Sequence, residues 1–263
     1  MKVLVTVKEV GEVDDDFAVE GTEIAPSDLE YDLNEWDEYA VEAGVRLAEA
    51  GIADEVVGVT VGPERTEETI RMAIAKGVDR AVRVWDDELD GRFVDVESRV
   101  NVLEPVVEAE DPDLVLSGVQ AADDGFGATG VALAERVGIE HAAVVNDVEI
   151  DADAGVATVH RELEGGLEEL TEVDLPAVLT VQTGLNEPRY ASLRGIRQAQ
   201  SAEIATRTLG DLGLTAADVE GSLTLTSMYE PDAASDAELI EGDPDEAADR
   251  LATVLADLGV GAS

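Results

Sequence analysis

Two stretches hold residue types and spacings that could do chemistry. The first is SGVQAADDGFGATG, Ser117 to Gly130. Gly118, Gly125, Gly127 and Gly130 free the backbone to approach a ligand closely. Thr129 opens a helix whose unpaired amides and dipole favour an anion, by about 0.3–1 kcal/mol per charge at an exposed site. The same spacing also suits a plain flexible turn with an Ala or Thr N-cap. Asp123 and Asp124 would repel a phosphate held too near, so they are expected to orient backbone or meet hydroxyls. The second stretch is VQTGLNEPRYASLRGIRQAQ, Val181 to Gln200, which leaves a strand-like run for a polar loop and a short helix. It gathers Arg189, Arg194 and Arg197 in a chain that has only 17 basic residues.

Other chemistries are thinly represented. No Gly-Lys-Thr or Gly-Lys-Ser marks a Walker loop, no GxGxxG follows the first strand, and no GxSxG elbow occurs. The absence of cysteine removes thiol catalysis, disulfides and iron–sulfur ligation by this chain. Two histidines, His141 and His160, make a histidine-rich metal site improbable. Glu162, in HRELEGG, has the character of a residue solvating a strand face. With no nucleophile, base or metal cluster in view, a cofactor-dependent function, in which the hard chemistry belongs to a bound molecule, is expected over side-chain catalysis.

The elements that must position these stretches are legible as an alternation. KVLVTV (2–7), EVVGVTV (55–61), RAVRVW (80–85) and DLVLSG (113–118) are β-branched or apolar runs suited to buried parallel strands. Between them lie helical patterns. Asn34 is placed to cap a helix that stops at Gly51, with Asp37 at the capping-box position. Pro63 sits in the first turn of a helix that Gly77 ends, a third helix covers about 94–110, and a fourth follows Thr129. This predicts an α/β fold, a Rossmann-like parallel sheet with helices on both faces. VNDVEI, GVATVHREL and LEELTEV, broken by DADAG and EGG, predict an antiparallel strand insertion, after which PAVLTVQ (176–182) returns to a buried strand. Residues 1–204 are expected to form one α/β domain, which the resemblance described below makes the nucleotide-binding one. Residues 205–263, with short turns, an acidic run and one amphipathic helix near 246–258, form a C-terminal arm that needs something to lie against.

Composition bounds the setting. Seventeen basic residues against 61 acidic ones give a formal charge of −44, and only Lys2, Lys8 and Lys76 are lysines. Self-repulsion at that density destabilises the compact state in dilute buffer. At roughly 1 M salt the Debye length falls to about 3 Å and screens it. A halophilic, cytoplasmic protein is expected, with neither nucleic acid nor a direct membrane contact among its partners.

The motifs carry a resemblance. LNEPRYASL (185–193) resembles the signature loop of the electron transfer flavoprotein beta subunit. VLVTVKEV, LNEWDEYAVEAGVRLAE, VTVGPERTEETIRMAIAKGVDRAVRV, DLVLSGVQAADDGFGATG and HRELEGGLEEL follow that family's order, so the likeness spans 1–200 and continues more weakly beyond. It implies a heterodimer in which an alpha subunit makes most contacts to FAD while this chain buries an adenine nucleotide. By resemblance the cofactor-binding residues are Thr6, Asn34, Glu35, Trp36, Asp37 and Val61. To these it adds the run Ser117, Gly118, Val119, Gln120, Ala121, Ala122, Asp123, Asp124, Gly125, Phe126, Gly127, Ala128 and Thr129.

The resemblance also implies electron transfer from dehydrogenases, such as acyl-CoA dehydrogenases, to a membrane quinone oxidoreductase. Leu193 would anchor a flavin dehydrogenase, with Arg194 and Arg197 supplying positive character, and Glu162 would pair with an alpha-subunit arginine. The chain departs from the family after Leu193, where Arg-Gly-Ile-Arg-Gln-Ala-Gln replaces Pro-Asn-Ile-Met-Lys-Ala-Lys. Its nucleotide loop mixes features of an AMP-holding branch and of a bifurcating branch that holds a second FAD; AMP is the expectation and a second FAD the alternative. Two other readings stay open. A universal stress protein-like nucleotide-binding regulator would share the α/β layout but not the NEPRY loop. An enzyme acting on the alpha phosphate of ATP would want a second Gly in SGVQAAD and that loop after the first strand.

Overall fold

The structure, a computed structural model, describes residues 1–13, 17–230, 239–240 and 242–260. In chain order the elements are β1 (Lys2–Thr6), β2 (Glu9–Val13), β3 (Val19–Glu20), β4 (Glu23–Ile24), β5 (Leu29–Leu33) and α1 (Glu35–Glu49). Then come β6 (Glu55–Val61), α2 (Glu67–Lys76), β7 (Arg80–Val84), α3 (Val96–Glu110), β8 (Leu114–Gly118) and α4 (Thr129–Val137). The remainder is β9 (Glu140–Asp151), β10 (Val156–Leu163), β11 (Leu167–Asp174), β12 (Ala177–Val181), α5 (Leu193–Gln200), β13 (Ile204–Arg207) and α6 (Pro244–Asp257).

One nine-stranded sheet organises them in the order β11-β10-β9-β12-β8-β1-β6-β7-β13. From β9 to β13 every neighbour is parallel. The alternation of side chains explains why both faces are covered. Val3 and Val5 of β1 point into one apolar core and Leu4 into the other; Leu114 and Leu116 of β8 oppose Val115 in the same way. Helices α1 and α2 close the first core through Val41, Val45 and Ala73. Helices α3 and α4 close the second through Leu103, Val106 and Leu133.

The insertion is antiparallel, as expected: β10 pairs with both β9 and β11. It does not stand apart, because β9 also pairs in parallel with β12 and so prolongs the main sheet. At the other edge β13 joins β7, and Leu209 and Val219 beyond it are buried in the second core. The contacts divide the chain into a unit Met1–Met228 and a unit Tyr229–Ser263. The segment directly after 204 thus stays with the first unit. The second unit contains α6, whose start is capped by Asp243 accepting from the amides of Asp245 and Glu246 at 3.0 Å. The acidic run of the last stretch falls largely on 231–238 and 241, outside the described residues. Among the described residues no helix is long and apolar enough to cross a membrane.

Candidate functional site

Chain order reverses at β1: β6 and β7 extend from one side of it, β8 and β12 from the other. At such a switch point the loops leaving neighbouring strands diverge and open a crevice beyond the carboxyl ends. A cavity of about 480 Å³ lies there, within the range of small-ligand sites.

The first turn of α1 ties two walls of this crevice together. Asp37 accepts a hydrogen bond from the Lys8 amide at 2.8 Å with one carboxylate oxygen and from the Gly118 amide at 2.9 Å with the other. It thereby bridges the chain just past β1 to the end of β8. Asn34 donates from Nδ2 to the Gln120 carbonyl at 2.9 Å and accepts from the Ala122 amide at 3.3 Å. The capping-box expectation is corrected here. Asn34 occupies the N-cap position, but its side chain makes no capping bond, because both it and Asp37 are turned toward the loops that end the neighbouring strands. Burial pushes the Asp37 carboxyl up to about 6, against the lowering effect of its two amide donors, Asn34 and nearby Lys8.

The loop after β8 carries its own counter-charges. Lys8 pairs with Asp123 and, at 2.8 Å, with Asp124. Arg99 of α3 pairs with Asp124 at 3.0 Å and donates to Thr129 Oγ1 at 3.2 Å. Asp124 also accepts from the Phe126 amide at 3.1 Å. Burial alone would raise the Asp124 carboxyl, but Lys8, Arg99 and that amide hold it below the usual range. The two acids therefore shape the loop and are neutralised there. Gly125 and Gly127 take φ of +61° and +60°, which favours glycine. Helix α4 starts without a side-chain cap, so its leading amides keep their capacity for an acceptor.

Fourteen of the nineteen residues expected at the nucleotide site line this cavity: Thr6, Asn34, Asp37, Val61, Ser117 to Ala121, Asp123, Asp124 and Gly127 to Thr129. Glu35, Trp36, Ala122, Gly125 and Phe126 do not. Glu35 is exposed. Trp36 donates from its indole to Gln182 Oε1 at 3.1 Å. Phe126 meets Phe93 edge-on with ring centroids 6.2 Å apart. Sequence reasoning missed the cations of the lining, Lys8, Arg65, Arg92 and Arg99, and its apolar wall of Val59, Trp85, Leu89, Phe93 and Leu103. Lys8, one of three lysines and directly past the first strand, was the available signal. The described residues hold no cluster of acidic, histidine or cysteine side chains suited to a metal ion.

The second stretch lies elsewhere. The loop 185–192 runs over α1, and α5 packs on α2. Ser192 caps α5 by accepting from the Gly195 amide at 3.0 Å. Leu193, the first residue of α5, is 77% exposed. Arg194 and Arg197 are exposed, and neither makes an ion pair among the described residues. Arg189 is different: its guanidinium is taken up by Glu42 and Glu49. Glu162 is remote from both places in the fold. It stands near the β10–β11 turn, opposite Glu168, beside exposed Leu163, Leu167 and Leu170.

The electron transfer flavoprotein domain matches residues 22–212 of the chain. The chain is 41% identical over 261 residues to an electron transfer flavoprotein subunit beta of Methylophilus methylotrophus, covering 97% of this chain and 98% of the relative. It is 37% identical over 237 residues to the mitochondrial subunit beta of Arabidopsis thaliana, covering 88% and 90%. It is 35% identical over 252 residues to a subunit beta of Syntrophomonas wolfei, covering 96% and 94%. A sheet with a switch-point crevice, a glycine-bearing loop closing it and the LNEPRY segment thus occur together in a chain that belongs to the beta subunits of the electron transfer flavoproteins.

Proposed function

We propose that the chain is the beta half of a heterodimeric electron carrier. Paired with an alpha subunit that holds most of the FAD, it takes electrons from flavin dehydrogenases, acyl-CoA dehydrogenases among them, and passes them to a membrane quinone oxidoreductase. The observation that carries this reading is the crevice beside β1, where fourteen of the residues expected at the nucleotide site line one cavity. Family membership supports the electron-transfer role.

The residues present fit an adenylate. The uncapped amides at the start of α4 suit a phosphate, with Lys8 and Arg99 neutralising the acids of the adjoining loop. Val59, Trp85, Leu89 and Phe93 offer an apolar wall to a base. Asn34 and Asp37 hold the loop in place. AMP is the ligand expected from the nucleotide loop, with a second FAD as the alternative. The flavin supplies the electron storage; this chain binds, orients and docks.

Leu193 is the apolar anchor for the dehydrogenase, and Arg194 and Arg197 supply charge toward an acidic rim. Glu162 faces an alpha-subunit arginine, in a contact exposed enough to break and reform at small cost. Of the expected arm 205–263, residues 205–228 pack within this chain, and the part beyond 228 packs on the partner subunit. The acidic surface suits a salty cytoplasm.

Co-expression with the alpha subunit followed by acid extraction and chromatography tests the proposal. A yellow heterodimer with one FAD and one AMP is expected. Two FAD and no AMP would establish the bifurcating alternative, and a colourless homodimer would establish a stand-alone regulator.

A further inference from the structure

The docking loop is gripped from below at nearly every turn. Glu42, in the middle of α1, has a side chain only 4% exposed. Its Oε2 takes Arg189 Nε at 2.7 Å and the Arg189 amide at 3.3 Å, and its Oε1 takes Arg189 Nη2 at 3.2 Å and Arg46 Nε at 2.6 Å. Lys76 of α2, 7% exposed, donates to the Arg189 carbonyl at 2.9 Å while paired with Glu38 at 2.6 Å. Asn186 donates to the Tyr39 carbonyl at 2.9 Å. The main chain at residue 189 is thus held on both its N–H and its C=O, four positions before Leu193.

We infer that Glu42 is a positioning residue for electron-donor docking: through its fork with Arg189 it fixes the loop that presents Leu193, Arg194 and Arg197. The inference rests on the reading that this loop docks the dehydrogenase. Burial alone would push the Glu42 carboxyl up, but hydrogen bonds from Arg189 and Arg46 outweigh it and hold the group below its usual range. The carboxylate form, with acceptors on both oxygens, is the form the guanidinium fork requires. Glu49, the other partner of Arg189, is 60% exposed and grips only the guanidinium, so it contributes less.

Glu42→Gln keeps the volume but turns one acceptor into an amide that faces the guanidinium. The assay is steady-state reduction of the complete FAD-loaded heterodimer by an acyl-CoA dehydrogenase that reduces the wild type. Glu42→Gln is expected to raise KM for the carrier by about tenfold or more, as loss of an interface hot spot would. Turnover number, FAD content and flavin midpoint potential stay unchanged. Arg189→Lys, which keeps the charge and loses the fork, moves KM the same way, and serves if Glu42→Gln fails to fold. Glu49→Gln leaves KM within about twofold. Leu193→Ala separates the two ideas. If it raises KM steeply while Glu42→Gln and Arg189→Lys do not, the inference is wrong and the docking reading stands. If Leu193→Ala has no effect, both fall. A loss of FAD or a shifted potential in Glu42→Gln would reassign the residue to the fold and overturn the inference as well.

Discussion

At the scale of single residues, Asp37 shows how one carboxylate joins two strand ends. It accepts from the backbone amides of Lys8 and Gly118. Asp37→Asn leaves one of those amides facing an NH2 group, at a cost of roughly 1–3 kcal/mol, read as a lower urea midpoint. The pH dependence has a definite sign. A carboxyl raised in the fold binds its proton more tightly than in the unfolded chain. Its contribution to stability is therefore full below about 4 and is lost as pH rises to about 6. The margin of wild type over Asp37→Asn should be larger at pH 4 than at pH 7; an equal margin would show that the proton is not held. The sequence put Asn34 and Asp37 at a helix start and at the site, but assigned them to capping. The real partners of Asp37, Lys8 and Gly118, lie 29 and 81 residues away, and those of Asn34, Gln120 and Ala122, lie 86 and 88 away; no local spacing encodes that.

At the scale of elements, the loop after β8 lies directly on the first turn of α1. A Cβ on Gly118 would sit 2.7 Å from Trp36 Cβ and from Asp37 Oδ1. Gly118→Ala must push the loop off the helix, costing about 1–3 kcal/mol and lowering the adenine nucleotide recovered per heterodimer. A variant with full nucleotide content and an unchanged melting temperature would contradict this. The long parallel strands and their helices were legible because apolar runs such as LVLSG and VLVTV need cover on both faces. The short pairs β2–β5 and β3–β4, between 9 and 33, were not: EVGEV carries no clean alternation and β3 and β4 are two residues each, whereas LEYDL alternates strictly and was an available signal. The edge strand β13 also escaped notice. Its four residues, IATR, acquire meaning only against β7.

At the scale of the whole molecule, charge decides behaviour. Even with each of the 17 cations neutralising one acid, 44 acidic charges are left over. Ion pairs weaken in salt by about 1 kcal/mol or less each at the surface, while screening relieves the repulsion among all the others. The unfolding temperature is therefore expected to rise between about 0.1 M and about 1 M potassium chloride, followed by circular dichroism; a flat or falling curve would remove the case for a salt-adapted surface. This much was legible from composition alone. What composition could not reveal is where the few cations go. Nine of the 17 fall at the crevice (Lys8, Arg65, Arg92, Arg99), under the 185–192 loop (Arg46, Lys76, Arg189) and on α5 (Arg194, Arg197).

That economy has a practical side. Lys2 is bound to the Glu110 carbonyl, Lys8 is committed to Asp123 and Asp124, and Lys76 is nearly buried between Glu38 and the Arg189 carbonyl. Reagents that acylate lysine amines will find no handle on the face formed by the 185–192 loop and α5, and thiol-directed probes find no cysteine at all. Mapping how this subunit meets its partners by crosslinking will have to go through carbodiimide coupling of its carboxylates.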